Sequence, residues 1–152
     1  MNLSNIEWKC KYFEQLDTRE LYEILHIRDK VFIIEQQCLY LDADGNDYHC
    51  LHLCGYEEGE LVAYARILPP GHSYREVSIG RVACIFEKRG KGLGKKLMEL
   101  ALLECERHFP GQSIKISAQS YLIDFYKFMG FLPIGEPYLE DQIPHQSMIL
   151  KK

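Results

Sequence analysis

The chain has 152 residues, 47% of them hydrophobic and 26% charged, with a formal net charge of −4 and a pI near 5.9. That is the composition of one ordinary globular domain spanning 1–152, without the general basic field that holds nucleic acid. No apolar run approaches the ~20 residues of a membrane span, and Met1-Asn2-Leu3-Ser4-Asn5-Ile6-Glu7 has neither the basic nor the apolar part of a secretory signal, so the expected setting is cytoplasmic, with no membrane contact.

In chain order, Ile6 to Phe13 reads as a first strand. Asp17 is placed to cap a helix, with Glu20 in the capping-box position, and Leu21, Ile24, Leu25, Arg28, Val31 and Phe32 follow helical spacing. Asp42 to Asp47 is a polar loop rich in turn formers. It resembles the start of a calcium-binding loop but lacks the distal glutamate and the flanking helices. His49 to Tyr56 and Leu61 to Leu68 read as two strands joined by Glu57-Glu58-Gly59-Glu60, with Pro69-Pro70-Gly71 ending the second. A strand at Val77 to Cys84 comes next, then a helix from Leu93 to Arg107 stopped by Pro110-Gly111. Ile114 to Ala118 is a short strand, Leu122 to Met129 a helix closed by Gly130, and Phe131 to Gly135 and Ser147 to Leu150 are the last two strands. The order is β-α-β-β-β-α-β-α-β-β.

The six cysteines form no C-x-x-C pair, and reduced thiols without a metal are expected. His49-Cys50-Leu51-His52-Leu53-Cys54 carries zinc-ligand residue types. Strand alternation instead sets Cys50, His52 and Cys54 in line along one face.

The most informative stretch is Arg89-Gly90-Lys91-Gly92-Leu93-Gly94 ahead of the long apolar helix. Three glycines leave the backbone open to a close ligand, and the helix start turns unpaired N–H groups and the positive end of its dipole to the same spot. Arg89, Lys91, Lys95 and Lys96 add charge, so a phosphate or pyrophosphate is the expected ligand. A dinucleotide fingerprint would need glycine where Lys95 stands, and a P-loop would need a wider glycine spacing.

The Arg-x-x-Gly-x-Gly pattern between a strand and a helix resembles the acyl-CoA pyrophosphate loop of the GNAT N-acetyltransferase superfamily. Phe125-Tyr126-Lys127-Phe128-Met129-Gly130-Phe131, about thirty residues on, matches the second hallmark of that family. The phrases Arg28-x-x-Val31-Phe32-x-x-Glu35-Gln36, Tyr64-Ala65-Arg66, Gly80-Arg81-Val82 and Pro144-His145 resemble its ElaA-type subgroup. The resemblance implies an α/β (α+β) fold, a mixed, mostly antiparallel sheet flanked by helices on both faces. It implies acetyl-CoA as co-substrate and no metal. The backbone of Val82, Ala83 and Cys84 would take the pantetheine arm and polarise the acetyl carbonyl, and the run Arg89, Gly90, Lys91, Gly92, Leu93, Gly94 and Lys95 would hold the pyrophosphate. Gln119 stands where many members carry an asparagine that contacts pantetheine or substrate. Tyr126 would be the general acid that protonates the leaving thiolate. The base is open among Glu35, His52 and His145. Arg66 and Arg81 suit either a substrate carboxylate or acidic neighbours.

The implied reaction is acetyl transfer to a primary amine of a small molecule or peptide, by direct attack in a ternary complex. Two rivals remain. Arg28-x-x-Val31-Phe32 with the acidic 42–47 stretch also resembles acyl-homoserine-lactone synthases. A non-catalytic acyl-CoA-binding module would share the glycine loop without turnover. The sequence leaves the oligomeric state open, a homodimer included.

Overall fold

A computed structural model describes residues 2–152, and one mixed sheet carries its eight strands. They are β1 (Ile6–Tyr12), β2 (Leu51–Glu57), β3 (Glu60–Leu68), β4 (Val77–Cys84), β5 (Ile114–Gln119), β6 (Leu132–Pro133), β7 (Tyr138–Glu140) and β8 (Ile143–Leu150). The spatial order is β1-β2-β3-β4-β5-β8-β6, with β7 paired to β8. Every pairing is antiparallel except β4 with β5. This is the mixed, mostly antiparallel α/β architecture that the motifs imply.

The helices are α1 (Thr18–Arg28), α2 (Leu93–His108) and α3 (Ile123–Phe128). The expected capping box starts α1: Glu20 N–H donates to Asp17 Oδ1 at 2.7 Å, and Asp17 N–H to Glu20 Oε1 at 3.0 Å. Beyond Arg28 the helix widens into a π-helical segment, Asp29–Glu35. Both α1 and α2 pack on β3, whose residues from Leu61 to Leu68 are all buried, so both faces of the central sheet are covered. Among the described residues no helix is long and apolar enough to cross a membrane.

The C-terminal part differs from the sequence expectation. The strand expected at 131–135 shrinks to Leu132–Pro133, and an unforeseen hairpin joins β7 to a last strand that starts at Ile143. Pro144 falls within this last strand. It lies outside the β5 ladder, which begins at His145 opposite Gln119, so its missing N–H breaks no bond with β5. The hairpin turns on Asp141 and Gln142, both at positive φ (50° and 63°), without the Asn-Gly pair that usually announces such a turn.

Candidate active site

The pairing of β4 with β5 opens a cleft. The two strands pair only where Val77 faces Ile114 and Ser78 faces Lys115, and then part. On its other edge β4 bulges: Tyr64 faces Ala83 and Arg66 faces Gly80, so Arg81 and Val82 together oppose Ala65. Arg81 takes φ +48°, a left-handed conformation costing a non-glycine residue roughly 1–2 kcal/mol. Its side chain is tied down by Asp42, Nε to Oδ1 at 2.9 Å. Beyond the bulge β4 turns an edge without a strand partner toward a cleft of about 240 Å³. Gly80, Arg81 and Val82 line one wall, Ser117 and Gln119 of β5 the other, and Tyr126 of α3 closes the space between.

The glycine loop lies directly after β4. Gly90 and Gly92 adopt φ +78° and +85°, where an L side chain is strained. Gly92 is the N-cap of α2 and offers no side-chain cap, so the N–H groups of Leu93, Gly94 and Lys95 have no intrahelical partner. A Cβ at Gly90 or Gly94 would meet nothing within 4 Å. The loop thus presents unpaired donors to open space, with Lys91 and Lys95 beside them. Lys95 Nζ sits 5.0 Å over the Phe128 ring. The Arg89 guanidinium donates instead to the Cys84 carbonyl (Nε 3.0 Å, Nη2 2.8 Å) and to Glu35 (Nη2–Oε1 2.9 Å).

Of the four residues singled out for acid or base catalysis, Tyr126 and His145 line the cleft. Tyr126 is 7% exposed, edge-on to Phe125 and Phe131, and burial pushes its phenol up to about 12. Glu35 is drawn to Arg89 and does not line the cleft. His52 is wholly buried under the 42–47 loop: Nδ1 meets the Tyr64 hydroxyl at 2.7 Å and Nε2 the Asp47 carbonyl at 2.9 Å. Burial holds its pKa below the ordinary histidine value. With both nitrogens engaged and no exposed surface, His52 has no path to an incoming amine. His145, on β8 opposite Gln119, does line the cleft.

The arginines resolve into a network that alternation alone does not reveal. Arg28 is fully buried and donates to Asp42 (Nε–Oδ2 2.8 Å) and Asp47 (Nη1–Oδ1 2.7 Å). Arg66 grips Asp44 through both terminal nitrogens at 2.9 Å and reaches Asp47 at 3.0 Å, while its buried Nε has no partner. Three guanidiniums meet three carboxylates, so the acidic loop is neutralised from within. Glu140 and Asp141 make the acidic side of the cleft; they lie in the β7 hairpin, a stretch to which the sequence assigns no element. All six cysteines are free. Among the described residues one trio, Cys10, Glu104 and His108, brings potential metal-ligand atoms within 4.8 Å of one another. Its Glu104–His108 contact, 3.1 Å, is an ordinary i,i+4 helix pair that forms without an ion.

The model of the acetyltransferase (GNAT) domain matches residues 20–152. The protein ElaA of Escherichia coli is 41% identical over 145 residues, covering 94% of this chain and 95% of that protein, and its crystal structure superposes with a TM-score of 0.91 over 96% and 99% of the two chains. The crystal structure of an acyl-CoA N-acyltransferase from Pseudomonas aeruginosa gives a TM-score of 0.92 at 41% identity, over 95% and 98%. The acyl-homoserine-lactone synthase LasI (TM-score 0.77, 16% identity, 95% and 89%) shares the fold alone.

Proposed function

The chain belongs to the GNAT acetyltransferase family, and from that premise we propose that it moves an acetyl group from acetyl-CoA to a primary amine. The observation that carries the proposal is the divergence of β4 from β5, with left-handed glycines and an uncapped helix start at its open end and Tyr126 at its base. The residues fit acyl-CoA. The pyrophosphate lies on the free N–H groups of Leu93, Gly94 and Lys95, with Lys91 and Lys95 alongside. The pantetheine arm lies along the open edge of β4 past Val82 and Ala83, as an added strand would. Arg89 is released from the Cys84 carbonyl and serves the phosphates through its backbone and charge. Gln119 offers an amide donor and acceptor from the facing wall.

The amine attacks the thioester carbon, and the C–S bond breaks as the new C–N bond forms. Tyr126 gives its proton to the departing sulfur. A phenol near 12 is a poor donor to a thiolate of ordinary pKa near ~8.5. The leaving sulfur is desolvated in the same cleft, however. Desolvation raises the sulfur's affinity for a proton in the same direction as the phenol's, and the phenol stays protonated at neutral pH until it is needed. The residues that resemble the lactone synthases, Arg28 and the 42–47 aspartates, bond one another and leave no charge for a second substrate.

The test is calorimetry with CoA on the wild type and on Gly92→Val, followed by acetyl-CoA-dependent thiol release across a panel of amines. A Cβ at Gly92 meets only Leu3 Cδ1 at 3.7 Å, so the variant should fold, but φ +85° is closed to valine. CoA affinity should fall at least tenfold. Equal affinity in the two proteins removes the loop from the site.

A further inference from the structure

We propose that Glu140 and His145 form an alkylammonium subsite at the mouth of the cleft, that His145 Nε2 takes the proton of the acceptor amine, and that this acceptor carries no carboxylate near its nitrogen. The inference rests on the acetyl-transfer reading and adds to it the class of acceptor. His145 Nδ1 lies 2.7 Å from the Ile143 carbonyl, which only accepts, so Nδ1 carries the proton. Its Nε2 lies 3.4 Å from Glu140 Oε2. In the neutral ring a lone pair therefore faces a carboxylate, and two acceptors need a donor between them. The imidazole is nearly enclosed, at 8% side-chain exposure, while Glu140 is half open at 52%, so the donor arrives from the Glu140 side. An ammonium group has the hydrogens to satisfy both.

The position suits the chemistry. His145 stands opposite Gln119 across the β5–β8 ladder, and cross-strand partners project to one face. Both line the cleft that Tyr126 closes, so amine, thioester and phenol share one space. The charge inventory sets the class. Arg66 and Arg81 also face the cleft, but Asp42, Asp44 and Asp47 neutralise them together with Arg28. Glu140 and Asp141 remain, and among the described residues Asp141 has no ion-pair partner. The mouth therefore attracts a cation and repels a carboxylate. In the reaction an N–H bond of the ammonium breaks and an Nε2–H bond forms. The imidazolium is held against Glu140, the freed lone pair attacks the thioester, and the second proton, shed by the nitrogen as it becomes an amide, restores the Tyr126 phenol that protonated the sulfur. The first proton then leaves through Glu140 to solvent.

Cadaverine and a lysine residue blocked at both ends present the alkylammonium as a free diamine and as a side chain. Lysine blocked only on its side-chain amine carries its one free ammonium directly beside a carboxylate. With acetyl-CoA saturating, kcat/KM for cadaverine or the lysine blocked at both ends should exceed that of this amino acid by about tenfold or more, and which of the two is better distinguishes a metabolite from a side chain. Glu140→Gln, at an exposed position, should raise KM for the preferred amine by about tenfold and narrow the ratio, with acetyl-CoA affinity unchanged. His145→Gln should lower kcat by about 10²–10⁴ with a smaller change in KM. Equal use of the amino acid, or a ratio unmoved by Glu140→Gln, overturns the subsite. CoA binding without acetylation of either alkylammonium probe overturns it while leaving the cofactor site standing. Loss of CoA binding by the wild type would instead remove the acetyl-transfer reading, and the subsite with it.

Discussion

Tyr126 illustrates how one side chain is both core and reagent. Its ring packs edge-on to Phe125 and Phe131 at 7% exposure, while the residue also belongs to the cleft lining. Tyr126→Phe keeps the ring and should cost little stability. If the hydroxyl protonates the leaving thiolate, turnover should fall by about 10²–10⁴ in a chemistry-limited assay, and acetyl-CoA affinity should stay constant. Wild-type turnover in that variant would return Tyr126 to packing alone. At this scale the motif residues were legible because each carries a local constraint: a left-handed φ at Gly90 and Gly92, and an aromatic at a fixed offset from Gly130. His52 was not. Strand alternation assigns a face to a histidine, but not what covers that face, and the Asp47 carbonyl and the Tyr64 hydroxyl arrive from elsewhere in the chain. Glu35 was misplaced for the same reason. Its partner, Arg89, lies 54 positions away.

Between the elements, the buried ion network is the main long-range tie. Arg28 ends α1 where the helix widens to its π-helical segment, and its fork pins the 42–47 loop beneath it. Arg66 and Arg81 tie the same loop to β3 and to the β4 bulge, so the cleft wall is fixed through aspartates that do not themselves line the cleft. Arg28→Ala takes one of two partners from each of two buried carboxylates and should destabilise by about 3–5 kcal/mol in urea unfolding. Arg28→Lys should recover little of this, because one ammonium cannot reproduce a bidentate fork. A loss under ~1 kcal/mol for Arg28→Ala would mean that water or Arg66 compensates. The regular elements from β1 to α3 were legible in periodicity and caps. The β7–β8 hairpin was not, since its turn uses Asp141 and Gln142 and its strand begins beside a proline. That lapse hid Glu140 and Asp141, the acidic half of the mouth. The pairing of three arginines with three aspartates was beyond sequence alone, which supplies the charges but not the partners.

Across the whole molecule these buried groups set how folding responds to acid. Burial holds the His52 pKa below the ordinary ~6.5, so as pH falls through that value the unfolded chain takes up a proton that the folded chain refuses. Stability is then lost on the acid side, with a limiting slope of about 1.4 kcal/mol per pH unit for one proton. Asp44 and Asp47 act lower down. Burial by itself would raise both, but the Arg66 bonds and the Asn46 N–H outweigh it at Asp44, and Arg28 with Arg66 outweighs it at Asp47, so both carboxyls sit below the usual range. Their contribution is complete above the unfolded carboxylate pKa of ~3.9 and is lost as pH falls below it, when the unfolded chain binds protons first. Unfolding free energies by urea from neutral pH downward should therefore show two regimes: a shallow loss beginning near ~6.5 and a steeper one below ~4. His52→Gln should flatten the first and leave the second in place, because glutamine does not titrate while the Arg–Asp network remains. A wild-type profile that stays level down to ~4.5 would mean that the folded chain accommodates a charged His52, in conflict with an imidazole sealed between Tyr64 and the Asp47 carbonyl.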